Sequence, residues 1–225
     1  MIKIKNLEKI HKNGFKALKK VNLHVGKNEF IYLVGPSGAG KTTLLNMIFK
    51  FDRPTSGEIY IDNCPLTSIH DRQIPHLRRN IGVVFQDFKL LPKRTVYENI
   101  AFALKVMHYS RANIRRKVSQ VLDLVGLTQK ESYFPNQLSG GEKQRICIAR
   151  AIVNDPPILL ADEPTGSLDP DTSWEIMHLL SKINARNTTV IVATHNKGLV
   201  DDLRKRVVTL ESGKIIRDQQ IGFYQ

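Results

Sequence analysis

Gly35-Pro36-Ser37-Gly38-Ala39-Gly40-Lys41-Thr42-Thr43 sets two glycines five positions apart and follows them at once with a lysine and two hydroxyls. Residues of these types at this spacing can hold a chain of phosphates. The glycines let backbone N–H groups turn inward, the lysine reaches the terminal phosphates, and the Thr42 hydroxyl suits a divalent cation such as Mg²⁺. The context supports the motif. An apolar run, Phe30-Ile31-Tyr32-Leu33-Val34, reads as a strand just before it, and a helical pattern, Lys41–Lys50, opens on its lysine. The N-terminus of that helix adds partial positive charge where phosphate would lie. A second glycine-rich run, Leu138-Ser139-Gly140-Gly141-Glu142-Lys143-Gln144-Arg145, begins another helix and offers its amides in the same way. A lone nucleotidase needs only the first run.

Acids and bases that could act on such a phosphate end other strand-like runs. Ile158-Leu159-Leu160-Ala161 leads into Asp162 and Glu163. Asp162 fits a Mg²⁺-holding role, and Glu163, one residue on, could orient an attacking water. Alone, this pair would read as a solvated strand end; beside a phosphate loop it reads as chemistry. His195 ends Thr189-Val190-Ile191-Val192-Ala193-Thr194, and Gln86 ends Ile81–Phe85. A lone histidine is more often structural, but at the edge of the same sheet it becomes a candidate for the γ-phosphate. Gln86 is a similar candidate for metal and water.

These residues need a scaffold that brings several strand ends together. Strand-like runs at Glu29–Gly35, Ile81–Phe85, Ile158–Asp162, Thr189–Thr194 and Arg206–Leu210 are mostly continuous in apolar residues, which suits parallel strands covered on both faces. Helical patterns at Lys41–Lys50, Asp171–Ile183 and Lys197–Leu203 alternate with them. The predicted fold is α/β: a P-loop NTPase (RecA-like) core with a mainly parallel sheet. Met1–Lys5 alternates like a strand, and Val21–Val25 and Gly57–Asn63 read as antiparallel hairpin strands, forming an N-terminal antiparallel β subdomain. Ile114, Val118, Leu122 and Val125 form a helical stripe, and no strand signal occurs between Thr95 and Asn154. An inserted α-helical subdomain over 87–154 is therefore expected within one domain, 1–225. No internal repeat or low-complexity tract is evident.

Composition narrows the function classes. A chain of 225 residues can bury a core without staples, and its two cysteines are too few for a disulfide framework. Cys147, inside an apolar stretch, reads as a small buried hydrophobe. The N-terminus has no apolar signal region, and no apolar run nears the roughly 20 residues that span a bilayer. The net charge is +13, with Lys3, Lys5, Lys9, Lys12, Lys16, Lys19 and Lys20 crowding the start and Arg115-Arg116-Lys117 following later. Three readings compete: a solvated surface, nucleic acid, or an anionic membrane face. Sparse interleaved aromatics argue against single-stranded nucleic acid.

The two glycine runs, taken with the strand-end residues, resemble the ABC (ATP-binding cassette) family along essentially the whole chain. Seven positions of the second run (Leu138, Ser139, Gly140, Gly141, Glu142, Gln144 and Arg145) follow that family's signature, a match expected by chance at roughly 10⁻⁹ per start position. Walker A at Gly35–Thr43, the Q-loop at Gln86, the signature, Walker B at Ile158–Glu163, the D-loop at Ser167-Leu168-Asp169 and the H-loop at His195 stand in the family's order. The resemblance implies ATP and Mg²⁺ as cofactors and a homodimer formed on ATP binding. In it, Ser139 and Gly141 of one subunit cap the γ-phosphate on the other's P-loop. It also implies Glu163 as catalytic base, His195 on the γ-phosphate, Thr42, Gln86 and Asp162 at the metal, and an adenine-stacking ring near His11, with Phe15 close by. The family usually has Asn at Ser167 and Asp at Asn196.

Phe85-Gln86-Asp87, Leu90-Leu91, Arg94-Thr95-Val96-Tyr97-Glu98-Asn99, Asp162-Glu163-Pro164-Thr165-Gly166 and Asp169–Met177 resemble the cell-division branch of that family, in its Gram-positive form. That resemblance implies an FtsX-type integral membrane protein as partner, peptidoglycan hydrolases as indirect targets, and a place on the cytoplasmic face of the membrane. Phe88, Leu90 and Leu91, an apolar cluster expected to be exposed, are the candidate docking groove. An ATPase of a lipoprotein-releasing or macrolide-type exporter shares the Pro164-Thr165-Gly166 region. A soluble cassette acting on DNA or ribosomes is the alternative of another class, and those usually carry coiled-coil insertions or paired cassettes.

Overall fold

The computed structural model describes residues 1–221. Along the chain come β1 (Ile2–Ile10), β2 (Lys16–Val25), β3 (Phe30–Val34), α1 (Lys41–Ile48), β4 (Ser56–Ile61), β5 (Cys64–Pro65), α2 (Ile74–Arg79), β6 (Ile81–Val84), α3 (Val96–Lys105), α4 (Arg111–Val125), α5 (Gly140–Ile152), β7 (Ile158–Asp162), α6 (Pro170–Asn184), β8 (Thr189–Thr194), α7 (Lys197–Leu203), β9 (Arg206–Glu211) and β10 (Lys214–Gln219).

Six strands form the main sheet in the order β10-β9-β3-β8-β7-β6. Pairing is parallel from β9 through β6, and β10 returns antiparallel at one edge. Its inner strands β3, β7 and β8 are apolar at nearly every residue because both of their faces are covered. Side chains alternate across a strand, so Phe30, Tyr32 and Val34 face one cluster while Ile31 and Leu33 face another. The same split separates Leu159 and Ala161 from Ile158 and Leu160, and Val190 and Val192 from Ile191 and Ala193. The first cluster continues into α3, α4, α5 and α6; the second includes residues of α1 and of the small sheet.

That small sheet is antiparallel, in the order β2-β1-β4-β5. Val21–Val25, in β2, and Gly57–Asn63, over β4 and the turn after it, lie in antiparallel hairpins as expected, β2 with β1 and β4 with β5. β1 lies between β2 and β4: Ile2 stands opposite both Val25 and Ile61. The physical reason is that β1 buries Ile2, Ile4 and Leu7, so it belongs inside the sheet. The hairpin partner of β4 is the two-residue β5.

Between β6 and β7 the chain forms α3, α4 and α5. Helix α4 buries Ile114, Val118, Val121, Leu122 and Val125 along one stripe, starts at Ser110, whose hydroxyl accepts from Asn113 N, and stops at Gly126 with φ 71°. These features are an N-cap and a left-handed C-cap. Helix α3 starts with a capping box between Thr95 and Glu98.

Register gathers the chemistry. Val34 pairs with Thr194, Asp162 with Ala193, and Val84 with Ala161. The residues that leave these strands, Gly35, Gln86, Glu163 and His195, therefore emerge at one edge, the carboxyl end of parallel strands where open α/β sheets bind ligands.

Candidate nucleotide site

The glycine loop leaves β3 at Gly35, turns through Gly38 (φ 76°) and enters α1 at Gly40 (φ 107°). A Cβ on Gly35 would collide with the Leu210 carbonyl oxygen, so close packing against β9 also requires glycine there. No acid lies in the first turn of α1, which leaves the positive helix end unopposed. Lys41 is buried, and its Nζ donates to the carbonyls of Gly35 at 2.8 Å and Pro36 at 3.1 Å. The lysine thus folds back over the loop, with the Glu163 carboxylate 3.9 Å away.

Thr42 Oγ1 donates to Asp162 Oδ1 at 3.1 Å. Burial pushes the Asp162 carboxyl above its ordinary range and Glu163 adds to the rise, while the Thr42 hydrogen bond and Lys41 oppose it. A half-buried carboxylate beside a hydroxyl is an all-oxygen donor set that fits a hard cation such as Mg²⁺.

Glu163 has φ 48°, a left-handed conformation uncommon for a residue other than glycine. It is held there by its own N–H, which donates to Ala193 O at 2.9 Å, and by its carbonyl, which accepts from Gly166 N at 3.2 Å. Its Oε1 lies 2.9 Å from His195 Nδ1. A carboxylate only accepts, so Nδ1 carries the proton in that contact and Nε2 remains for another partner. Cradle, acid and histidine line one cavity of about 740 Å³ with Gln86 and Phe15. Phe15 rather than His11 is in that lining. The His11 ring lies parallel to the Phe15 ring with centroids 6.3 Å apart.

The second glycine run is elsewhere, since none of its residues lines this cavity. Ser139 caps α5: its hydroxyl accepts from Glu142 N at 3.3 Å, and its N–H donates to Glu142 Oε2 at 3.0 Å. Glu142 is also paired with Lys130, which, with the Ser139 amide, holds its carboxyl below the ordinary range. Glu142 therefore builds the helix end. Gly140 faces Leu168, and a Cβ on Gly141 would run into Thr172 Cγ2. Thr172 N in turn donates to Asp169 Oδ1 at 2.9 Å, capping α6. The fold thus packs Leu168 and Thr172 against the second glycine run, while Asp169 caps α6 through Thr172 and Ser167 is exposed.

Two expectations change. Phe88 and Leu90 are not exposed; both pack half-buried against the helical core, because the segment after Gln86 turns inward. The exposed apolar surface near half-buried Leu91 is supplied by Phe102 on α3, 52% exposed, with Val106, 53% exposed, at that helix's C-cap. Sequence spacing carried no sign of a further contact: Arg150 and Cys147 on α5 hold the backbone of Phe88 and Lys89.

Residues 18–166 match the family model described as ABC transporter. The chain belongs to that family, and it is an ATP-hydrolysing cassette. It is 54% identical to the cell division ATP-binding protein FtsE of Bacillus subtilis (strain 168) over 224 residues, covering 100% of this chain and 98% of that protein. It is 52% identical to FtsE of Streptococcus pneumoniae (strain D39), covering 100% and 97%. Among solved structures it is similar to the dimeric post-hydrolysis state of the ATP-binding cassette MJ0796 bound to ADP and Pi, with TM-score 0.89, 40% identity and full coverage of both chains.

Proposed function

We propose that this chain is the ATPase of a cell-division complex: it closes as a homodimer on two ATP molecules and drives an FtsX-type membrane protein that regulates peptidoglycan hydrolases. The observation that carries the ATPase mechanism is the Lys41–Glu163–His195 cluster at the mouth of the glycine loop. In this reading the loop from Gly35 to Thr43 wraps the phosphates, and Lys41 turns from the loop carbonyls to the β- and γ-phosphates. Thr42, Asp162 and Gln86 hold Mg²⁺, which supplies charge neutralisation on the phosphate oxygens. Glu163 takes a proton from the attacking water as its oxygen bonds to the γ-phosphorus. The bond from that phosphorus to the β–γ bridging oxygen breaks, leaving ADP and phosphate. The His195 Nδ1 proton orients the Glu163 carboxylate, and Nε2 faces the γ-phosphate. Phe15 supplies a ring for adenine, with His11 stacked behind it.

Separation of the two glycine runs within the chain supports a head-to-tail dimer. Ser139 and the Gly140-Gly141 amides then meet the partner's ATP, with Ser167-Leu168-Asp169 beside them. The relatives named FtsE and the dimeric cassette structures support the same reading. We treat residues 1–225 as one cassette domain with 87–154 as its helical insert. Among the described residues no helix is long and apolar enough to cross a membrane, so the proposed membrane partner provides attachment at the cytoplasmic face.

The docking surface moves to Phe102, whose surroundings include Lys93, Arg94, Glu98 and Lys105, with exposed Val106 just beyond the helix. Phe102→Asp, on the exposed face of α3, tests it. Co-expression with an FtsX-type protein and detergent pull-down should retain the wild type and lose the variant, with the ATPase activity of the isolated cassette intact. Equal capture of both overturns the docking face. Failure of the wild type to be captured overturns the partner and leaves the exporter and soluble readings in its place.

A further inference from the structure

Gln86 is followed by two consecutive residues in left-handed conformation, Phe88 (φ 50°) and Lys89 (φ 48°). Neither is glycine, so each position is strained, and such strain persists only where the surroundings impose it. The surroundings are the far end of α5. Arg150 donates through both of its terminal nitrogens, to Lys89 O at 2.7 Å and to Phe88 O at 2.9 Å. Cys147 Sγ, on the same face one turn earlier, donates to Phe88 O at 2.9 Å. The Lys89 ammonium lies over the Phe85 ring, 4.5 Å from its centroid, and the Lys89 N–H also donates to Asp87 O. Three donors from one helix face thus converge on two carbonyls just beyond Gln86.

Ser139 caps the opposite end of the same helix. Arg150 lies eleven positions beyond Ser139, about 16 Å along the helix at the α-helical rise. α5 is buried at Ile146, Cys147, Ile148 and Ala149 and does not bend easily.

We propose that Arg150, assisted by Cys147, is a positioning residue that locks the Gln86 loop to α5, so that the loop at a subunit's own ATP and the Ser139–Gly141 cap on the partner's ATP move as one rigid unit. This inference rests on the roles proposed above for Gln86 and for the Ser139 run. The planar fork of arginine is what spans two successive carbonyls; the single ammonium of lysine does not reproduce it. Arg150 touches neither phosphate nor metal in this scheme and acts only through the loop.

Cys147 is a built-in reporter, since it is 1% exposed and the other free cysteine, Cys64, is exposed. In a Cys64→Ser background, maleimide labelling of Cys147 reads whether the loop covers it. Arg150→Met, which keeps the aliphatic bulk, is expected to speed labelling at least tenfold and to lower kcat at least tenfold. The Kd for ATP in the isolated subunit should stay within twofold. A purely structural role would lower kcat and ATP binding together with the melting temperature, and that outcome overturns the proposal. So does unchanged labelling, or faster labelling with unchanged kcat. If Arg150→Met does not fold, Arg150→Lys is read by the same measurements. Gln86→Ala runs in parallel. Slow turnover in Gln86→Ala with normal turnover in Arg150→Met refutes the lock alone; normal turnover in Gln86→Ala refutes the role of Gln86, and the lock with it.

Discussion

Gly40 and Gly38 belong to the same loop but are glycine for different reasons, and alanine at each separates them. At Gly40, φ is 107°, outside the left-handed well that other residues reach, and an added Cβ would lie 2.6 Å from Ala17 O and 3.0 Å from Leu18 Cδ2. The carbonyl belongs to backbone and cannot swing aside, so loop and β2 must part by about 0.8 Å to reach even the short end of ordinary van der Waals contact, about 3.4 Å. Backbone strain of about 1–3 kcal/mol and overpacking of about 1–3 kcal/mol add to roughly 4 kcal/mol at mid-range. At Gly38, φ is 76° and nothing lies within 4 Å of the added atom, so strain of about 1 kcal/mol is the whole cost. For a chain of this length, each kcal/mol lowers the melting temperature by roughly 2–4 °C, giving drops of roughly 8–16 °C for Gly40→Ala and 2–4 °C for Gly38→Ala. Urea and thermal unfolding of the nucleotide-free proteins measure this directly. Because Lys41 follows Gly40, ATP affinity should also fall at least tenfold in Gly40→Ala. Melting temperatures for the two variants within 2 °C of each other would refute the steric argument.

Glu163→Gln keeps the shape and the left-handed backbone but removes the base, so kcat should fall by about 10²–10⁴, or roughly 2.7–5.4 kcal/mol in barrier, with ATP still bound. On sizing chromatography with ATP and Mg²⁺ the variant should run as a dimer, and a monomer alone contradicts the composite site. Asp162→Asn probes the buried carboxyl. Its raised pKa means the folded chain holds that proton more tightly than the unfolded one. The stability it carries therefore falls as pH rises from the ordinary value of 3.8 through the raised one. Asparagine should make the nucleotide-free protein more stable in urea at pH 7, with the gap closing toward pH 4, while abolishing Mg²⁺-dependent turnover. A variant less stable than the wild type at pH 7 shows that burial is not the dominant influence on Asp162.

What the sequence alone determined was local. The glycine loop, the acids after Ile158–Ala161, the histidine after Thr189–Thr194 and the helix start at Ser139 depend on spacing and residue type, and each could be read in a window of about ten residues. Continuous apolar strands likewise announced a doubly covered sheet, because alternation disappears when both faces are buried. Pairing across distance was decided only by tertiary structure. β1 pairs with β2 on one flank and with β4, some fifty residues later, on the other, a placement that no local window shows. Phe88 and Leu90 turned inward for the same kind of reason: Arg150 and Cys147, some sixty residues later, supply donors that hold a strained backbone. Gly141 carried a signal that local reading could not complete, since the Thr172 methyl that excludes any larger residue arrives from α6. Spacing identifies groups able to touch phosphate, but only the packed sheet, through the register of Val34 with Thr194 and of Asp162 with Ala193, determines which of them meet.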